Sequence, residues 1–264
     1  MSLGMLVIVP LGLTLLPRRL TLLRTAGPRW WFFFAVPGVV SLWLPRGPAS
    51  IALASIYLAG TVLLAALAVR DFLRHKRLRP REIALYTALA TPSIAALALV
   101  AERSSYELFG FELTVLSLTV AHFHFAGFAA ALIAYLVAAD ATTATTAAAI
   151  SVPVGTGIVL LGFFLGDLVE LAGAAVLTAG MWMVGWSLWG RSRTADRATA
   201  VLLVVSAAVL VFTMLLALTW ALGHVVSTPY LPLEWMVATH GVANAAGFAL
   251  CGLLAWRRLG KGIG

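Results

Sequence analysis

Residues 119–128 read Thr-Val-Ala-His-Phe-His-Phe-Ala-Gly-Phe, placing His122 and His124 inside an apolar run of about 111–138. A run of that length crosses the roughly 30 Å hydrocarbon core of a bilayer as a tilted helix. A titratable side chain near the middle of such a helix is costly to insert, so it marks a functional site by default. The 264-residue chain around this stretch is 62% hydrophobic and 11% charged, with mean hydropathy +1.00. That composition excludes a globular domain with a charged, solvated surface and implies an integral membrane protein.

Nine apolar segments follow one another, at about 2–16, 30–45, 49–69, 83–101, 111–138, 146–165, 168–189, 198–222 and 235–257. The pattern predicts an all-α, polytopic transmembrane helix bundle of about nine spans. The first two segments are the shortest and carry Pro10 and Pro37. Residues 1–264 read as one integral membrane domain, with three spans in 1–81 and six in 82–264. No positive charge precedes the first segment, and Arg18 and Arg19 follow it; a cleavable signal has the opposite order, so the segment reads as retained.

The basic residues give the orientation. Sixteen of the eighteen Lys and Arg fall between segments one and two, three and four, seven and eight, or after nine; Arg46 and Arg103 are the other two. Positive-inside bias then sets the N-terminus outside and the C-terminus in the cytoplasm of a multi-pass cell-membrane protein. The net charge of +8 is therefore a topology signal, and no nucleic-acid partner is expected. Membrane lipid and a lipophilic small molecule are the expected partners. The one cysteine, Cys251, makes no disulfide framework.

In this frame the remaining polar residues collect in the outer half. Glu102, Glu107 and Glu112 flank segments four and five, Asp167 and Glu170 open segment seven, and His224, Glu234 and His240 lie around the start of segment nine. His122 and His124 sit roughly 16–20 Å down. They stand about 200° apart on an α-helix, so one lines a cavity and the other holds a hydrogen bond elsewhere unless the helix is distorted. His240, Asn244 and Gly247 form one stripe at i, i+4 and i+7. Ala-Gly-Phe follows the histidines on both helices, at 126–128 and 246–248, which predicts that the two helices pack with their histidines facing one outer-leaflet cavity. Asp167 and Glu170 share a helix-start face. Glu102 reads as solvated loop charge, His75 as part of a basic loop, and Trp182 as a deep packing residue.

The stretches His122–Phe128 and Thr239–Phe248 resemble the signatures of the YndJ-like family of multi-spanning prokaryotic membrane proteins. That resemblance implies that His122, His124, His240 and Asn244 are shared polar residues and implies little about activity. Val120–Phe125 is also similar to the haem-ligating helix of haem-copper oxidase subunit I, but the further histidines that enzyme needs are missing.

Three function classes follow. The first is an enzyme performing His/carboxylate proton transfer on a lipophilic small molecule, such as isomerisation, cyclisation or epoxide opening. His122 or His124 would be the base or acid, Asp167 or Glu170 the complementary carboxyl, and His240 with Asn244 the orienting pair. A variant places zinc, iron or copper on His124, His240 and Glu170. The second class is a small-molecule or proton-coupled transporter. The third is a haem- or cofactor-binding subunit.

Overall fold

The computed structural model describes residues 1–260, and Lys261 of the basic tail lies outside them. The described residues are helical in the order the hydropathy predicts: α1 (Gly4–Leu13), α2 (Arg18–Thr25), α3 (Gly27–Trp43), α4 (Pro48–His75), α5 (Pro80–Arg103), α6 (Leu113–Asp140), α7 (Thr143–Leu165), α8 (Asp167–Ser192), α9 (Arg197–Val226) and α10 (Leu233–Leu259). They contain no strand.

Seven of these helices, α4 to α10, are long and apolar enough to cross a membrane, consistent with a membrane protein; α1 and α2 together would make an eighth. The expected nine is thus approximate. At 1.5 Å per residue α1 is about 15 Å long, half of what a crossing needs. It ends because Pro17 is extended (φ −62°, ψ 155°) and two arginines follow, and α2 leaves at 120° to it. The α3 helix has 17 residues with Pro37 inside.

The chain divides into two compact units. The first holds Met1–Arg77 and Tyr86–Ala129; the second holds Leu78–Leu85 and the described residues from Ala130 onward.

In the first unit, α4 shows how the core is chosen. Ser50, Ala54, Tyr57, Thr61, Leu64, Ala68 and Asp71 recur at alternating steps of four and three, and all are buried. Ile56, Val62, Leu63 and Val69 on the other faces are exposed. Small and polar residues turn inward and large apolar ones outward, as expected where the surroundings are as apolar as leucine. Gly38 admits Tyr57, and Gly60 admits Phe34, so α3 and α4 approach closely. The Trp31 indole donates to the Met5 carbonyl at 2.7 Å, holding α1 against α3.

In the second unit, α7 and α8 form a tight hairpin through Gly166 (φ +111°), a conformation glycine tolerates. Gly155 and Gly162 on α7, and Gly173 and Gly180 on α8, form two stripes at seven-residue spacing. A Cβ on Gly155 would lie 2.5 Å from the Leu177 backbone nitrogen, and one on Gly162 2.6 Å from that of Glu170. The α9 and α10 helices join through Ser206, whose hydroxyl donates to the Phe248 carbonyl at 3.0 Å. Trp182, read from sequence as deep packing, lies on the exposed face of α8.

Within each unit ion pairs close the helix ends. Arg19 meets Asp71 at one end of the first unit, while Arg46, Arg103 and Glu102 meet at the other. In the second unit Arg191 meets Asp140 and Arg258 meets Asp196 at the ends where the basic residues were expected.

Candidate functional site

The histidine helices are not regular. In α6 the segment Phe123–Ala129 is π-helical, beginning one residue after His122; in α10, Val237–Gly241 and Ala243–Leu250 are π-helical. The distortion therefore covers both Ala-Gly-Phe echoes. Such turns recur at functional sites.

His124 belongs to the first unit and is wholly buried. Its Nδ1–H donates to the Val120 carbonyl at 2.6 Å. A carbonyl only accepts, so this nitrogen carries the proton. A wholly buried imidazole without a balancing charge is neutral, which leaves Nε2 to accept from the Tyr57 hydroxyl. Both ring nitrogens are thereby used. Gly4 lies against the ring, where a Cβ would come within 2.7 Å of it. His124 acts as a bolt between α1, α4 and α6. Tyr57 went unnoticed in the sequence, although it lies on the small-residue stripe of α4. His122 is exposed, and its ring meets Phe123 edge-on at 5.7 Å.

His240 belongs to the second unit and is built differently. Its Nδ1–H donates to the Thr213 carbonyl at 2.8 Å, again fixing the tautomer. Its Nε2 is left as a lone-pair acceptor with no donor among the described residues. Asn244, one turn on, has its side-chain amide 3.0 Å from the Thr213 hydroxyl, which is also 2.9 Å from the Val209 carbonyl. A hydroxyl has one proton to give, and Val209 can only accept. The Asn244 amide is therefore best turned so that Nδ2–H donates to Thr213. Thr213, which sequence reading missed, organises both residues. Gly247 lies against Val209, where a Cβ would be 2.6 Å from a methyl group.

The expected carboxylates lie elsewhere in this unit. Glu170 is within electrostatic reach of His224 and Asp167. The His224 ring packs against Trp220 (5.0 Å) and Tyr230 (4.8 Å). Among the described residues, no three His, Cys, Asp or Glu side chains converge as a metal site.

Glu102, read from sequence as solvated loop charge, is buried. Glu102 is 2% exposed at the end of α5, where its carboxylate accepts from Arg46 (2.8 and 2.9 Å) and from Arg103 (2.6 Å). Arg103 also donates to the carbonyls of Ser41 and Leu44, tying the end of α3 to α5. A cavity of about 300 Å³ opens beside this clamp, walled by Trp43, Leu99, Ser117 and Val120. His75 ends α4, its Nδ1–H donating to the Asp71 carbonyl at 2.9 Å, and the Asp71 carboxylate accepts from Arg19 and Tyr86 at 3.0 Å each.

The YndJ-like protein family model matches residues 1–248 of the chain, through both histidine helices. The chain belongs to the YndJ-like protein family. No curated protein and no solved structure matches it. The YndJ-like match takes in His122, His124, His240 and Asn244, so all four lie within the family's extent.

Proposed function

We propose that this YndJ-like protein is a multi-pass cell-membrane enzyme that moves a proton on a lipophilic small molecule, with Nε2 of His240 taking the proton. One observation carries this reading. His240 keeps a lone pair without a protein donor, on the helix with the smallest buried share of the seven candidate spans, 22%. A substrate dissolved in the bilayer reaches such a helix from the side. Thr213 holds the ring, and Asn244 orients the substrate. The imidazolium so formed gives the proton back to the substrate at a neighbouring atom, or exchanges it with solvent, which resets His240. His124, with both nitrogens engaged, positions helices and does not touch substrate.

Proton abstraction from carbon is visible as solvent exchange. Reconstituted protein is incubated in D2O with a total lipid extract, and the lipids are weighed by mass spectrometry. A lipid that gains deuterium with wild type and not with His240→Gln is the expected result. A lipid that binds and stabilises the protein without exchanging overturns the catalytic reading in favour of carriage. Exchange that persists in His240→Gln removes His240 from the reaction.

A further inference from the structure

His240 and Asn244 are anchored to one residue. The Thr213 carbonyl takes the His240 Nδ1–H at 2.8 Å, and the Thr213 hydroxyl lies 3.0 Å from the Asn244 side-chain amide. The two side chains therefore stand side by side on α10, both half-buried. His240 has the Nε2 lone pair to offer. A side-chain amide has two N–H donors and one oxygen, so with one N–H spent on Thr213, Asn244 keeps a second N–H without a partner among the described residues.

A base beside an N–H donor is the pair that proton removal next to a carbonyl requires. As the C–H bond breaks, its electron pair moves onto the carbonyl oxygen, and a donor aimed at that oxygen stabilises the charge where it develops. Neutral imidazole is a weak base, so the C–H must be more acidic than one carbonyl makes it. A carbon lying between a carbonyl and a C=C bond meets that need, because its anion is shared over oxygen, α-carbon and γ-carbon.

We propose, resting on the proton-transfer reading above, that the substrate is a lipophilic β,γ-unsaturated carbonyl compound and that Asn244 selects the carbonyl. Nε2 of His240 takes the α-proton, and Nδ2–H of Asn244 donates to the enolate oxygen. The imidazolium then gives a proton to the γ-carbon, the double bond moves into conjugation, and both residues return to their starting states. The reaction is an isomerisation and balances without an oxidant or reductant. Val237, three residues before His240 and 43% exposed, gives the substrate's chain an apolar surface to lie on.

Three long-chain probes of equal length separate this inference from the reading beneath it: a β,γ-unsaturated ketone, the saturated ketone, and the alkene without a carbonyl. Each is incubated in D2O with the reconstituted full chain, and the ultraviolet band of a conjugated enone and deuterium uptake are followed against protein-free vesicles. Wild type should conjugate the unsaturated ketone and leave the other two unchanged. Asn244→Leu should slow conjugation about a hundredfold, the cost of losing one oxyanion donor. Its fold should persist, since the Thr213 hydroxyl keeps the Val209 carbonyl, and an unchanged Tm checks that. If it does not fold, the wild-type comparison of the three probes decides alone. Conjugation at the wild-type rate in a folded Asn244→Leu overturns the role of Asn244. Exchange of the saturated ketone or the alkene as fast as the unsaturated ketone overturns the substrate class and leaves the proton-transfer reading standing, as does His240-dependent exchange of an extracted lipid while the unsaturated ketone stays unchanged. No conjugation and no exchange in any extracted lipid overturns both.

Discussion

The Tyr57 hydroxyl donates to Nε2 of His124, joining the buried faces of α4 and α6 inside the first unit. Removing one partner strands the other in a wholly buried site. Tyr57→Phe should cost roughly 1–3 kcal/mol, the desolvation penalty of one unsatisfied buried group. His124→Ala should cost more, since it adds a void to the stranded hydroxyl. Thermal melting of the purified variants checks both. Unchanged melting in both would show that the pair holds nothing together.

Glu102 gives a second prediction because two arginines share one buried carboxylate. Glu102→Ala leaves two guanidiniums facing each other without their counter-charge, and it should destabilise by roughly 3 kcal/mol. Arg46 is 47% exposed in its side chain, so Arg46→Ala should cost about 1 kcal/mol or less. Denaturation of the two variants side by side reads the difference. Equal costs would mean that solvent screens the clamp throughout.

Acid sensitivity should appear at Asp196, which caps α9. Its carboxylate accepts from the Thr199 hydroxyl and from the amides of Thr199 and Ala198 at 3.2 and 3.1 Å, with Arg258 also at 3.1 Å. These bonds, the Thr199 hydroxyl first, hold the group down to about 2 from an ordinary 3.8. A carboxylate depressed on folding contributes stability that is whole above its unfolded value and is lost as the pH falls through its folded one. Asp196→Ala should therefore lower Tm by a constant amount above about pH 5, and the gap should close between about pH 4 and pH 2. A gap that stays constant across that window contradicts the capping role.

Much of the helix order was legible in the hydropathy, because an apolar run of about 20 residues has few ways to satisfy its backbone in lipid. The inward faces were harder to read. Along α4 the contrast between Tyr57 or Asp71 and Ile56 or Val62 is one of polarity, the reverse of a soluble helix. The small residues Ser50, Ala54, Thr61 and Ala68, at steps of three and four with them, mark the face that carries both. The echoed Ala-Gly-Phe was visible as letters, but its π-helical turns were not. Within one of them the Phe248 carbonyl accepts from Ser206, 42 positions away. Glu102 looked solvated because its sequence neighbours are polar. One of its two arginine partners, Arg46, lies 56 positions away. Thr213 was invisible for a similar reason: one threonine among many becomes decisive only when α10 is laid against it.

The contrast between a bolted imidazole at His124 and an available one at His240 can be read directly with diethyl pyrocarbonate, which acylates accessible neutral imidazole nitrogens. The folded protein is labelled, digested and mapped by mass spectrometry, with the half-exposed His75 as the internal standard. The account predicts that His240 is labelled along with His75, and that His124 stays unmodified until the protein is unfolded. Labelling of His124 in the folded protein, or protection of His240 while His75 reacts, would contradict it.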